Sequence, residues 1–368
     1  MNINKIKIYK SPIKLKEPFK LSLSTHEFAE NIIINISTDE DIEGYGECSP
    51  FMMINGENMD TCFIVAQYLA KILIGKNPLQ IDECCLLMDK LIYANNSIKS
   101  AFDMALYDIA ATHAGLPLYK YLKGNNNKKI ITDYTVSLDD APKMASDAQK
   151  IVDSGFQVMK VKLGTTKEKD VERISKIREA IGYEMPIRID ANQGWNAEEA
   201  LEILIALAPY KIQHCEEPIP RWNFMELPSI KKHSPIPIMA DECCCDHHDA
   251  KRLIDLEACD LFNIKLGKCS GINKALKIIE LAEKGNIMMQ LGGFLESRLG
   301  FTAAAHLALT SNHIIHFDFD TPLMFEEDPV LGGITYNNKG VITITETPGL
   351  GAAIDEKYLN KQEKIMIE

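Results

Sequence analysis

Asp190, Glu216 and Asp241 stand 26 and 25 residues apart, each closing a short apolar run: PIRID, KIQHCE and PIPIMAD. Three carboxylates brought side by side repel one another, and unless one takes a proton they need a cation between them. Donors that are all oxygen select a hard ion. The set therefore predicts one Mg²⁺ per subunit, with Mn²⁺ able to substitute, rather than zinc. Lysines fall on the same rhythm, Lys162 lying 28 residues before Asp190 and Lys265 lying 24 after Asp241. Lys160, two residues ahead of Lys162, points to the same side of an extended strand. Near a divalent cation and another ammonium a lysine pKa falls, which makes a neutral amine available as a base. Two such lysines on opposite faces of a substrate, whose carboxylate a metal holds, can remove and return a proton on the adjoining carbon.

These residues need elements that bring them to one place. From about residue 131 a short apolar strand alternates with a longer amphipathic segment. The strands are expected at 132–138, 156–163, 186–190, 211–216, 235–241, 261–265, 287–291 and 314–320. Between them, stretches such as EKDVERISKIREAIG and GINKALKIIELAEKG carry apolar residues at helical spacing, with glycine or proline near their ends. Such alternation implies parallel strands joined by right-handed crossovers. Eight units predict a closed barrel, with a doubly wound open sheet as the rival. Lys162, Asp190, Glu216, Asp241, Lys265 and Asp318 all sit at or beside strand C-termini. In a barrel those ends ring one mouth, whereas an open sheet strings them along an edge.

Ahead of the barrel, residues 3–10, 30–38 and 42–48 read as antiparallel strands, followed by helices near 58–75, 80–92 and 96–114. The expected division is an α+β domain over 1–125, a barrel over 126–325, and a turn-rich segment over 326–368 that packs back on the first domain.

The segment ADECCCDHHDA (240–250) poses a rival metal site. Zinc ligands are usually spaced so that a loop or turn carries two donors to one side of the ion, and adjacent residues do not manage this. Cys243, Cys244 and Cys245 are therefore expected to be inert thiols, and Asp241 beside them the ligand. The ten cysteines form no regular framework, and MNINKIKIYK lacks an apolar signal core, so reduced thiols in a cytoplasm are expected. A net charge of −12 opposes nucleic-acid binding, and no apolar run approaches membrane-spanning length. The remaining expectation is a small-molecule enzyme that self-associates as a homo-oligomer.

The motifs KVKLG (160–164), DANQGW (190–195), EEP (216–218), ADE (240–242) and NIKLGKCSG (263–271) resemble the enolase superfamily in its muconate-lactonizing-enzyme subgroup. AFDMALYDIAATHAGLPLYKYL (101–122) extends the resemblance into the first domain. It implies a (β/α)₇β modified TIM barrel beneath an α+β capping domain completed by the C-terminal segment. It also implies one Mg²⁺ on the three carboxylates, and lysine bases that form and quench an enolate. IHFDFDTPLM (315–324) is similar to the Asp-x-Asp signature of dipeptide epimerases, in which the aspartates hold the substrate's α-ammonium group. Asp318 and Asp320 are two apart and so expected on one face. By the same resemblance Thr135, Glu296 and Phe294 line the pocket, Lys160 steadies the carboxylate, and Lys162 and Lys265 exchange the α-proton of a dipeptide's C-terminal residue.

The resemblance breaks at specificity. Where Ala-Glu epimerases carry an arginine after the first strand, FKLSLSTHEFAE (19–30) places Ser24, which cannot supply a bidentate cation. Lys20 or His26 are the possible substitutes, while Phe19, Leu21, Leu23, Phe28 and Phe294 point to an apolar pocket. Hydrophobic or aromatic L,L-dipeptides are the expected substrates. L-Ala-D/L-Glu epimerisation in murein peptide metabolism, and cycloisomerase or o-succinylbenzoate synthase activity, are the alternatives.

Overall fold

The computed structural model describes residues 1–368. Its eight parallel strands follow one another in chain order around the sheet: Tyr134–Val136, Met159–Lys162, Ile187–Asp190, Ile212–Glu216, Ile238–Ala240, Leu261–Lys265, Met288–Gly292 and Ile314–Phe317. The Asp133 N–H donates to the Phe317 carbonyl at 3.2 Å, linking the eighth strand to the first. Seven helical connections lie between the eight strands, and a short 3₁₀ turn, Thr321–Met324, follows the last. This is the (β/α)₇β arrangement. The open-sheet alternative is overturned, because consecutive strands neighbour one another without the reversal of order that a doubly wound sheet requires.

The first domain carries an antiparallel sheet in the order 364–367, 3–20, 25–38, 43–48. Helices Met59–Leu73, Ile81–Leu91 and Asn96–His113 accompany it. EGYGEC packs so closely on the last helix that a Cβ at Gly46 would lie 1.8 Å from the Ala101 carbonyl oxygen. Glycine at that strand position lets the helix backbone approach, and 96–113 is buried almost throughout.

The first two strands run further than expected, to Lys20 and from Thr25. They form one long hairpin whose turn, Leu21–Ser24, is closed by the Leu21 N–H donating to the Ser24 carbonyl at 2.9 Å. Pro12 and Pro18 lie within the first of these strands. The ladder with Lys364–Ile367 covers Ile6–Tyr9 alone, so both prolines fall outside it, Pro18 in the register shift between Lys14 and Phe19.

Buried carboxylates seat the cap on the barrel. Glu47 accepts from Asn31 Nδ2, the Ser297 and Gly300 N–H groups and Ser297 Oγ, at 2.8–2.9 Å, at the start of helix Arg298–Ala308. Asp103 accepts from the Ile272 and Asn273 N–H groups at the start of Ile272–Lys284. Anionic groups at helix N-termini complement both the free N–H groups and the dipole. A single apolar cluster of 103 buried residues runs through cap and barrel, so the two share one core.

Candidate active site

The register along the sheet sets Lys162 opposite Asp190 and Asp190 opposite Glu216 on adjacent strands. Asp241 follows directly on Ile238–Ala240, and all three carboxylates are fully buried. Lys160 Nζ lies 3.0 Å from Asp190 Oδ2, 2.9 Å from Glu216 Oε2 and 2.8 Å from Asp318 Oδ2. Lys162 Nζ donates to Asp190 Oδ2 at 2.6 Å, and Lys265 Nζ lies 2.7 Å from Asp241 Oδ2. The barrel mouth thus brings together every strand-end charge read from the sequence.

Three further side chains complete the set. Asn263 Nδ2 and Gln290 Nε2 donate to the two oxygens of Glu216 at 2.9 and 3.2 Å. Lys268, 1% exposed, donates to Asp241 Oδ1 at 2.5 Å, to the Asn263 carbonyl at 3.0 Å and to the Asp241 carbonyl. None of these was picked out by the sequence reading. Asn263 was legible, since it sits two residues before Lys265 on the same strand face. Lys268 shows only as a second lysine three residues beyond Lys265, a spacing shared with ordinary helix surfaces.

The neighbouring carboxylates govern the lysine charges. Burial disfavours the Lys265 ammonium, but Asp241 and Glu216 outweigh it and hold its pKa above the usual lysine value. Burial likewise opposes the Lys160 charge, and Asp190, Asp318 and Glu216 override it. The fall in lysine pKa expected from the sequence belongs to a mouth that holds a cation. The carboxylates beside Lys160 and Lys265 set the direction upward.

Ammonium groups lie among the mouth carboxylates. The donor set still fits a hard cation. Asp190, Glu216 and Asp241 present only carboxylate oxygens to one buried mouth, the donor type that a hard cation takes. The cysteine run does not fit. Cys243 and Cys244 are buried, Cys243 Sγ donates to Glu217 Oε2 at 3.3 Å, and burial pushes both thiols up. Thiols so disposed are poor metal ligands.

A small cavity of about 30 Å³ opens over the mouth, lined by Thr135, Lys160, Lys162, Lys265, Phe294, Asp318 and Asp320 among others. The eighth strand ends at Phe317, three residues short of expectation. The two-apart rule for strands therefore does not explain why both aspartates face the cavity. Asp320 is instead held by the Thr135 N–H, which donates to its Oδ2 at 2.7 Å, and Asp318 by Lys160. Aromatic rings roof the lysines, with Lys162 Nζ 5.9 Å from the Phe19 ring centroid and Lys265 Nζ 5.1 Å from that of Phe294. Phe51 stacks on Phe294 at 5.6 Å and, with Ile54, extends the apolar rim from the cap.

Two expected pocket residues lie elsewhere. Glu296 turns beneath its own loop, where it accepts from the Phe294 N–H, and it does not line the cavity. Burial and then the neighbouring Glu47 raise its pKa to about 8, so a neutral carboxyl can sit there. Ser24 is spent at the hairpin tip, its Oγ 2.7 Å from His26 Nε2. The possible substitutes for the missing arginine are also engaged. Lys20 pairs with Asp139 at 2.6 Å, and burial lowers the His26 pKa, leaving a neutral ring 4.6 Å from Phe51. Of the apolar residues named from sequence, Phe19, Leu21 and Phe294 line the cavity, while Leu23 does not and Phe28 is 43% exposed.

The chain matches the mandelate racemase / muconate lactonizing enzyme N-terminal domain over residues 3–123 and the enolase C-terminal domain-like family over 143–358. It is 59% identical, over the full length of both chains, to a D-Ala-D/L-Ala epimerase of Cytophaga hutchinsonii. A crystal structure of a dipeptide epimerase from that organism, complexed with Mg and the dipeptide D-Ala-L-Val, superposes with a TM-score of 1.00 over all of both chains at 58% identity. The hydrophobic dipeptide epimerase of Enterococcus faecalis is 38% identical, covering 95% of this chain and 99% of the relative. A structure of the dipeptide epimerase from that organism with Mg and L-Leu-L-Tyr gives a TM-score of 0.93, covering 96% of this chain and 100% of the other. The L-Ala-D/L-Glu epimerase of Bacillus subtilis is 37% identical, covering 95% and 96%.

Proposed function

The chain belongs to the mandelate racemase / muconate lactonizing enzyme family of the enolase superfamily, and from that premise we propose that it is a dipeptide epimerase inverting the α-carbon of the C-terminal residue. The observation that carries the reading is one cavity lined at once by Lys162, Lys265, Asp318 and Asp320 beneath an apolar rim. Asp190, Glu216 and Asp241 would hold one Mg²⁺, or Mn²⁺ in its place, and the bound ion would supply Lewis-acid stabilisation of charge on a carboxylate oxygen. Lys162 and Lys265, on strands two and six, take the α-proton from one face and return a proton to the other. Lys160 steadies the substrate carboxylate. Asp318 and Asp320, the latter fixed by the Thr135 N–H, receive the α-ammonium group of the dipeptide.

The rim selects apolar side chains. Phe19, Leu21, Phe51, Ile54 and Phe294 bring no cation, and a glutamate side chain buried among them would lack a partner, at a cost of several kcal/mol in order of magnitude. Small or hydrophobic dipeptides are accordingly preferred over Ala-Glu.

Self-association is part of the proposal. Met52, Met53, Trp222 and Met225 are each more than half exposed, and Arg221 Nη1 donates to the Ile54 carbonyl, which brings their two segments together. Sedimentation analysis tests it. The division at 125 and 325 is likewise retained, with strand Lys364–Ile367 pairing on Ile3–Lys20 as its support. No helix is long and apolar enough to cross a membrane.

The test is a dipeptide panel, with L- and D-configured N-terminal residues, incubated with enzyme and Mg²⁺ in deuterated water. Apolar dipeptides should gain one mass unit and a mixed configuration at the C-terminal residue. A protein that exchanges no dipeptide α-proton is not an epimerase of this kind.

A further inference from the structure

The cavity over the lysines is narrow, about 30 Å³. Beside it lies a second cavity of about 420 Å³, between the hairpin, helix Ala141–Asp153 and the turn after strand eight. Phe19 and Thr135 line both, so the two spaces share a wall. That wall stands at the ammonium end of the site, because the Thr135 N–H is bonded to Asp320.

The outer cavity has a defined chemistry. Its floor is Phe19, Tyr134, Val136, Ile151, Phe156 and Met324. Its rim charges are engaged with one another, Lys20 with Asp139 at 2.6 Å, and Lys143 and Lys150 with Asp147 at 2.6 and 2.8 Å. Lys16 donates to the Leu323 carbonyl at 2.8 Å. Glu17 is the lining charge left without a partner, so the space disfavours an anion and its apolar floor favours an uncharged group.

We propose that the outer cavity is the subsite for the side chain of the substrate's N-terminal residue, with Phe19 as the movable partition that joins it to the reaction chamber. The inference rests on the epimerase reading. An ammonium held at Asp318 and Asp320 places the N-terminal α-carbon next to Thr135, and its side chain then has two directions open. One leads inward to Lys160 and the carboxylates, where an apolar group would desolvate charge. The other leads past Phe19 into the apolar space, where burial is favourable. Swinging the Phe19 ring aside breaks no hydrogen bond, and its contact with Lys162 at 5.9 Å from the ring centroid is a weak one.

The experiment fills the outer space from residues that do not touch the reaction chamber. Met324→Trp and, independently, Ile151→Phe are compared with the unaltered enzyme on Ala-Ala and on Leu-Ala and Phe-Ala, each with L and D N-terminal residues and saturating Mg²⁺. Filling should lower kcat/KM for Leu-Ala and Phe-Ala by about tenfold or more and leave Ala-Ala within about twofold. Phe19→Ala should raise the ratio of Phe-Ala to Ala-Ala. Equal losses on all three dipeptides in both filling variants, or no loss on the large ones in a folded variant, would overturn the subsite while leaving the epimerase reading intact. Absence of α-proton exchange with any dipeptide in the unaltered enzyme overturns both.

Discussion

The barrel mouth and the hairpin tip above it face the same cavity but are built in opposite ways. The mouth is fixed by a parallel ladder, so residues 24 to 28 apart in sequence become neighbours whose charges pair with one another. The tip is a four-residue turn at the end of a hairpin, and its Ser24 and His26 bond chiefly to one another. Reaction chemistry, which tolerates little displacement, sits on the rigid part. Side-chain selection, which varies among relatives of one fold, sits on a hairpin tip held to the barrel by single hydrogen bonds such as those of Ser22 Oγ to the Ala191 and Asn192 carbonyls at 3.2 Å.

The sharpest way to test that division is to remove the mouth's bases. Lys162→Ala and Lys265→Ala should each lower epimerisation by about 10³-fold or more. Each variant should still exchange solvent deuterium into one configuration of the C-terminal residue, and the two should differ in which. Exchange into the same configuration by both variants would show that they do not serve opposite faces. Chelation with EDTA should abolish turnover, with Mg²⁺ or Mn²⁺ restoring it. Full activity in metal-stripped protein would break the assignment of Asp190, Glu216 and Asp241.

Changes at the rim should be smaller and should redistribute substrates instead of ending catalysis. Phe294→Ala removes the ring over Lys265 and is expected to lower kcat/KM for Ala-Leu roughly tenfold, with a lesser loss on Ala-Ala. Ser24→Arg brings a cation to a rim that has none, and should move the Ala-Glu to Ala-Leu ratio about tenfold toward glutamate. No shift would mean that the tip does not reach bound substrate. At the far end of the scale, replacing Cys243, Cys244 and Cys245 by serine should leave metal content unchanged. Thermal unfolding should report a cost of about 1–3 kcal/mol, because hydroxyls replace buried thiols.

How far the sequence was legible follows the same line. The barrel strands were readable because each is a short apolar run between amphipathic stretches, and the mouth because each run closes on a charge. Strand ends were less so. Asp318 and Asp320 looked like strand residues because alternation continues through IHFDFD, yet the ladder stops at Phe317, where Asp318 and Asp320 turn to Lys160 and the Thr135 N–H. Glu296 was misplaced because nothing local shows that its carboxylate caps its own loop. Phe51 and Ile54 were invisible for a different reason. They meet Phe294 across more than two hundred residues of chain, through docking of the cap that Glu47 and Asp103 secure, and no periodicity encodes a contact of that kind. Lys20 was legible as a cation but not as one already committed to Asp139.

The pairing of Ile6 with Ile367 and of Tyr9 with Lys364 has a consequence for how the molecule is made. On the ribosome, chains lengthen by about 5–20 residues per second, so the first hairpin emerges roughly twenty to seventy seconds before the strand that borders it. Throughout that interval one edge of an isoleucine-rich sheet, with NIIINI at its centre, has no neighbour. Open, β-prone edges are the surfaces on which nascent chains join one another. Truncation ahead of residue 364 should therefore show itself first as aggregation during expression, in a protein whose barrel residues are all present.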